Sequence, residues 1–114
     1  MVKVEVKQMK EDSKSIMDKL GEELPGVMQA FSGLHEEVLK DGALSARMKR
    51  LIMVGASVAI RCEPCIRVHV NGALEEGASR EEILEAASAG ILMAGGPAVA
   101  YTALYLLDAL DGGA

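Results

Sequence analysis

The chain has 114 residues, half of them hydrophobic, and carries a formal net charge of −5 at pH 7. This length predicts one domain over residues 1–114, with enough apolar material to bury a core. The acidic balance, with lysines and arginines scattered among carboxylates, argues against nucleic acid as a partner. The apolar runs over residues 51–60 and 97–107 are shorter than the roughly 20 residues of a membrane-spanning helix, so no membrane segment is expected.

The first residues alternate valine with lysine or glutamate, and this period of two predicts an extended arm over residues 1–9. Charged residues stand where a signal peptide would need its apolar stretch, which indicates a cytoplasmic protein. The chain contains two cysteines. In a cytoplasmic protein, a cysteine pair is more typical of a reducible working pair than of a structural disulfide.

Apolar residues recur at helical spacing along the rest of the chain. The spacing predicts a first helix over residues 10–20 and a second over residues 27–40. A third helix begins after Ser45, which is a suitable N-cap, and runs to about Ile60. Small residues around Gly55 permit the close approach of another helix, and we expect that helix to be the one that carries the cysteines.

Three further helices follow. The fourth covers residues 63–76, and the fifth opens on a capping box formed by Ser79 and Glu82 and continues to about Ala94. The sixth, over residues 98–110, is apolar on nearly every side, which a lone small domain could hardly cover, so we expect a homo-oligomer. These elements predict an all-α bundle of about six helices.

The motif with the clearest chemistry consists of Cys62, Cys65 and His69. Offsets of three, four and seven residues place both sulfurs and the imidazole on one face of a helix. Pro64 supports a helix start at this point, because proline is accepted in a first helical turn. A cysteine at a helix N-terminus has a raised thiolate fraction, and the thiolate is the reactive form.

Three interpretations of this motif remain open. The cysteines can be buried apolar residues, with His69 only satisfying a hydrogen bond. A structural zinc site needs four ligands, and the chain offers only Cys62, Cys65, His69 and the distant His35, although an open three-ligand site stays possible. Thiol redox chemistry needs only two sulfurs close enough to bridge, with His69 as a base one turn beyond Cys65. The residue pattern favours the redox interpretation.

The pattern resembles the alkylhydroperoxidase D-like or carboxymuconolactone decarboxylase family over roughly residues 24–107. The resemblance rests on the Cys-x-x-Cys-x-x-x-His helix, on the apolar helix over residues 51–60 before it, and on the segment 77–83 after it. It implies a small all-α fold that assembles into trimers or hexamers, with thiol-dependent peroxidase or disulfide reductase activity. The decarboxylase branch of this fold generally lacks the cysteine pair, so the chain resembles the redox branch.

One position departs from the family pattern. The peroxidase members carry a glutamate twelve residues before the first cysteine, and it passes protons through the histidine; here that position is Arg50. Arginine cannot act as a carboxylate relay, although its charge could stabilise a thiolate. Substitute carboxylates to consider are Glu63, Glu82 and Glu85.

The expected function is thiol-dependent reduction of a small hydroperoxide or a protein disulfide, a peroxiredoxin-like antioxidant activity. His69 would take the proton of Cys65, whose thiolate attacks, and Cys62 would then close a disulfide; attack by Cys62 is the alternative. The chain has no glycine motif for flavin or nicotinamide, so no cofactor is expected and an external thiol or protein must supply electrons. The alternatives are a non-enzymatic metal-binding or redox-sensing module and a carboxymuconolactone decarboxylase-type lyase.

Overall fold

The computed structural model describes residues 17–113. Every regular element in that range is helical, which confirms the predicted all-α class, and none of these helices is long and apolar enough to cross a membrane. Contacts divide the chain into two compact units, one ending at Lys40 and one beginning at Asp41. The predicted arm over residues 1–9 and the start of the first helix lie outside the described residues.

The first unit contains two helices. The helix α1 is described over residues 17–23, and α2 runs Pro25–Val38. Pro25 occupies the first turn of α2, where its missing N–H has no helical partner to lose. None of the side chains of α2 is buried, and Phe31 in its apolar stripe is 58% exposed. The predicted stripe is therefore present, but the described chain does not cover it.

The second unit begins with three longer helices: α3 is Ala46–Ala59, α4 is Glu63–Glu75 and α5 is Arg80–Ala94. Ser45 caps α3, and the Ser79–Glu82 capping box opens α5, as predicted. The helix α3 packs against both α4 and α5 and is therefore the central element. Aliphatic side chains fill the core between them, and the largest fully buried ones are Val54, Val58, Ile66, Val70, Ile83 and Leu106.

The close approach predicted at Gly55 occurs, but with a different partner. The helix that approaches Gly55 is α5, not the cysteine-bearing α4. A methyl group added at Gly55 would lie 2.8 Å from the carbonyl oxygen of Ala86 in α5. Gly90 meets the backbone of Gly55 from the other side. Small residues mark where two backbones can approach, but they do not specify which helix fills the space.

The predicted sixth helix is less regular than its apolar pattern suggested. An α-helix, α6, covers only Gly96–Tyr101, and a π-helical turn follows over Thr102–Leu106. The change from α- to π-helix begins at Thr102, whose hydroxyl donates to the carbonyl oxygen of Ala98 at 2.7 Å. This hydrogen bond competes with the main-chain hydrogen bonds of the helix. A second π-helical segment, Ala109–Gly113, contains the left-handed Gly112 with φ 92°.

The apolar side chains of this C-terminal segment, residues 96–113, are only partly buried by the rest of the chain. Leu106 and Ala109 are buried in the core of the second unit. Val99 and Leu104 remain 50% and 61% exposed. The segment is thus partly core and partly an uncovered apolar surface.

Candidate functional site

The cysteine motif lies where α3 ends and α4 begins. Arg61 adopts a left-handed conformation, with φ 58°, which is uncommon for a residue with a side chain. The N–H of Cys62 donates to the carbonyl oxygen of Ser57 at 3.2 Å, so the turn is tied back to α3. The sharp reversal places Cys62 immediately before the first residue of α4.

Cys62 and Cys65 are joined by a disulfide, with their Cα atoms 5.2 Å apart. Cys62 is also the N-cap of α4, because its Sγ accepts a hydrogen bond from the N–H of Cys65 at 3.3 Å. Pro64 lies in the first turn, as the sequence predicted. Both cysteines are half-buried. The same sulfur therefore caps the start of α4 and forms one half of the disulfide.

His69 lies one turn beyond Cys65 and hydrogen-bonds to a residue of the neighbouring helix. Its Nδ1 is 2.9 Å from Nη1 of Arg50, which α3 contributes. An arginine side chain has N–H donors and no acceptor, so Nδ1 of His69 must accept this hydrogen bond. The proton of the neutral imidazole is then on Nε2. The structure thus brings together His69 and Arg50, two of the residues that the sequence singled out.

The backbone of α4 holds the Arg50 guanidinium in place. A methyl group on Gly72 would lie 2.5 Å from both Cζ and Nε of Arg50, so the guanidinium fits only because Gly72 has no side chain. Nε of Arg50 is buried there, and the part of the chain that the structure describes offers it no hydrogen-bond partner. Gly72 follows His69 by three residues and shares its helix face. This contact explains a glycine inside α4 that sequence reasoning left without a role.

Glu63, beside Cys62 in sequence, is committed to an ion pair. Arg67 donates to it from Nε at 3.1 Å and to Asp108 from Nη1 at 2.8 Å, with the guanidinium 5.9 Å from the centre of the Tyr105 ring. Burial alone would lower the pKa of Arg67, but these hydrogen bonds and charges raise it above its ordinary value. Sequence reasoning missed this cluster because Arg67 and Asp108 are 41 positions apart.

Glu82 and Glu85 lie along a groove between α3 and α5. The Glu82 carboxylate accepts from the N–H of Ser79 at 2.9 Å and pairs with Arg47. These contacts, the backbone hydrogen bond first, hold its pKa below the ordinary value. Both glutamates line an open, mainly apolar groove of about 640 Å³ between α3 and α5. The residues lining this groove do not include either cysteine or His69.

The metal interpretation finds no cluster in the described structure. Across residues 17–113, no three histidine, cysteine, aspartate or glutamate side chains are grouped so as to hold a metal ion. His35, the fourth ligand considered from the sequence, belongs to the first unit, whereas the cysteines belong to the second. In the disulfide state the two sulfurs are bonded to each other.

Comparisons with known proteins agree in sequence and in fold. Residues 25–109 match the carboxymuconolactone decarboxylase family, a range that includes both cysteines and His69. An uncharacterized protein of Cupriavidus necator is 38% identical over 94 residues, 81% of this chain and 83% of that protein. A Legionella pneumophila protein of the same family has a crystal structure with a TM-score of 0.86 and 32% identity, over 96% of this chain and 98% of that chain. A Thermotoga maritima structure has a TM-score of 0.64 and 30% identity, over 74% of this chain and 90% of that chain; that family protein has a suggested role in the antioxidative response.

Proposed function

This chain belongs to the carboxymuconolactone decarboxylase family, and we propose that it is a thiol-dependent oxidoreductase whose working group is the Cys62/Cys65 pair. The observation that carries the proposal is the disulfide at the N-terminus of α4, with His69 one turn further along the same helix. The suggested antioxidative role of the Thermotoga maritima relative supports the same class of activity.

The reduced pair can transfer two electrons to either of two substrate classes. With a hydroperoxide, one thiolate attacks oxygen to give a sulfenic acid and an alcohol, and the second thiol condenses with the sulfenic acid and releases water. With a disulfide, the thiolate forms a mixed disulfide, which the second cysteine resolves. Both routes end in the Cys62–Cys65 disulfide, and an external thiol or a protein dithiol must reduce it again.

The geometry of the helix start suits a pair that opens and closes. A Cα separation of 5.2 Å lies inside the range that disulfides normally span, so the bond can re-form without displacing the backbone. The N–H of Cys65 and the positive end of the helix dipole stabilise a thiolate at Cys62. With its proton on Nε2, His69 can donate a hydrogen bond to a Cys65 thiolate but cannot take the proton of the thiol, and this favours Cys65 as the attacking residue. Each cysteine therefore has its own advantage, and separate variants are needed to tell the two apart.

We further propose that the working unit is a homo-oligomer, a trimer or a hexamer, in the cytoplasm. Exposed apolar side chains on α5 support the assembly, because Leu92 is 84% exposed and Met93 83% exposed in the single chain. A reducing compartment suits a pair that must be returned to the dithiol after each turnover.

Thiol counting with peptide mapping tests the function directly. We expect two titratable thiols after treatment with dithiothreitol and none after oxidation, with Cys62 and Cys65 joined within one chain. Cys62→Ser and Cys65→Ser should each block closure, and the variant that lacks the attacking sulfur should also fail to form a sulfenic acid or a mixed disulfide. A disulfide between chains on oxidation would contradict the proposal.

Two other outcomes would replace the proposal with one of the alternatives. Stoichiometric zinc that only a chelator removes would indicate a metal-binding module. Decarboxylation of a carboxymuconolactone that persists when both cysteines are serine would indicate a lyase.

A further inference from the structure

We propose that Arg50 fixes the tautomer of His69 and thereby makes disulfides, rather than hydroperoxides, the substrate class of this site. The inference rests on the proposed function, because it assumes that the Cys62/Cys65 pair is redox-active. Its new content is the role of Arg50 as a positioning residue that acts through His69.

The hydrogen bond between the two side chains determines where the imidazole proton lies. Nη1 of Arg50 donates to Nδ1 of His69 at 2.9 Å, so the lone pair of Nδ1 is occupied and the proton of the neutral ring is on Nε2. A carboxylate at position 50 would have the opposite effect: it would accept from an Nδ1–H and leave a basic lone pair on Nε2. The residue at position 50 therefore decides whether Nε2 donates or accepts.

The Arg50 guanidinium packs against the helix that carries His69. It lies against the backbone of Gly72, and residues 17–113 provide no hydrogen-bond acceptor for its buried Nε. Among the described residues, no carboxylate forms an ion pair with Arg50. Two of the candidate glutamates are used elsewhere, since Glu63 pairs with Arg67 and Glu82 pairs with Arg47.

Reduction of a hydroperoxide needs a proton that this arrangement supplies poorly. Breaking the O–O bond expels an alkoxide or hydroxide, whose conjugate acid, an alcohol or water, is a far weaker acid than a thiol. A positioned acid that protonates such a leaving group is worth roughly 10²- to 10⁴-fold in rate. Neutral His69 could give up only its Nε2 proton, which would leave an imidazolate anion. It therefore serves as a hydrogen-bond donor and not as a proton source.

Reduction of a disulfide has no such requirement. The leaving group is a thiolate, whose conjugate acid has a pKa of about 8.5, so it departs without a proton. One cysteine thiolate attacks a sulfur of R–S–S–R and releases RS⁻. The second cysteine loses its proton to solvent, attacks the mixed disulfide and releases the second RS⁻, which closes Cys62–Cys65. Two electrons pass from the pair to the substrate, the released thiolates take protons from water, and a dithiol reductant restores the pair.

Single-turnover kinetics of the reduced protein test the substrate class. The rate of thiol loss is measured with glutathione disulfide and with cumene hydroperoxide, and each rate is divided by that of free dithiothreitol with the same substrate. We expect the acceleration for the disulfide to exceed that for the hydroperoxide by at least ~10-fold, because the hydroperoxide lacks its acid catalyst. Equal acceleration of both, or a larger one for the hydroperoxide, would overturn the inference and leave the proposed function standing. No acceleration of either would overturn the proposed function itself.

The tautomer is observable without turnover. The chain has two histidines, so a His35→Gln variant isolates the ring signals of His69 in a nitrogen–proton correlation spectrum. We expect the Nε2–H tautomer in the wild type and the Nδ1–H tautomer in Arg50→Glu, with hydroperoxide reduction faster by roughly 10-fold or more in that variant. Arg80→Glu makes the same change of charge at an exposed ion pair with Asp111 and should alter neither the tautomer nor the rates. A wild-type spectrum that shows Nδ1–H would refute the inference even if Arg50→Glu failed to fold.

Discussion

The carbonyl oxygen of Gly55 in α3 lies against the Cα of Gly90 in α5, and neither glycine has room for a side chain. Two helix backbones therefore touch directly at this point, with no side chains between them. The same helix α3 carries Arg50 to His69 on α4. The helix α3 thus contacts the backbone of α5 through Gly55 and contributes Arg50 to the candidate site beside α4.

Adding a methyl group at this contact should separate the two helices. In Gly90→Ala the new Cβ would overlap both the Gly55 carbonyl oxygen and the Val58 side chain, so we expect a loss of about 1–3 kcal/mol in the free energy of unfolding. Urea denaturation measures it. Gly33→Ala in α2 is the control, because among the described residues, its own helix turn and chain neighbours aside, nothing lies within 4 Å of its Cβ position, so it should be neutral or slightly stabilising. Equal effects of both substitutions would mean that the helices are not in contact here.

A methyl group on Gly72 should act mainly through Arg50, whose guanidinium provides the three nearest atoms. Gly72→Ala places Cβ 2.5 Å from the guanidinium, so we expect it to cost about 1–3 kcal/mol and to displace Arg50 from His69. In an Arg50→Ala background the obstacle is absent, and alanine should then stabilise the helix by roughly 0.5–1 kcal/mol relative to glycine. A double-mutant cycle from urea denaturation gives the difference. Additive effects would show that the two residues do not touch.

The Glu82 carboxylate should make stability depend on pH in the acid range. The pKa of Glu82 is lower in the folded protein than its ordinary value of 4.5. The contribution of this carboxylate to the free energy of unfolding is therefore fully present above pH 4.5 and is lost as the pH falls through the folded pKa. Glu82→Gln keeps an acceptor for the Ser79 N–H but loses the charge. We expect a lower melting temperature than wild type at neutral pH and a smaller difference at about pH 3. Glu81→Gln, at an exposed neighbouring carboxylate, is the control, and the same pH trend there would contradict a specific role of Glu82.

The exposed apolar residues of α5 should be covered by subunit contact. Light scattering should give a mass that is a multiple of 12.0 kDa. Replacing Leu92 and Met93 by glutamate should shift the population to smaller species, because charged groups would be buried in the interface. Glu76→Gln, at the exposed residue that follows α4, should leave the mass unchanged. A wild-type monomer at micromolar concentration would rule out this assembly.

The helices of the second unit could be predicted because their ends depend on local chemistry. Ser45 and the Ser79–Glu82 box act over three residues, and Gly77, with φ 88°, follows the end of α4. The π-helical turn after Tyr101 gave no such signal, since it depends on how one threonine hydroxyl competes with the main chain. Local signals also could not name the partner of Gly55, which depends on how the helices pack.

The site was predictable only in part, for the same reason. The positions of Cys62, Cys65 and His69 on one helix follow from spacing within seven residues. Arg50 was singled out by the family pattern, but its hydrogen bond to His69 spans 19 positions and depends on the packing of α3 against α4. The glutamates were candidates by residue type alone, and residue type could not show that Glu63 pairs with Arg67 and Glu82 with Arg47.

Three successive helices of the second unit begin on an oxygen or sulfur that accepts a hydrogen bond from the N–H three residues later: Ser45, Cys62 and Ser79. The helix cap at position 62 therefore requires only an acceptor atom on the side chain, as the caps at Ser45 and Ser79 do. A serine there would keep the start of α4 intact, and a single nucleotide change converts a cysteine codon into a serine codon. Descendants of such a protein could lose the disulfide and keep the helical fold, which could then acquire another chemistry by selection.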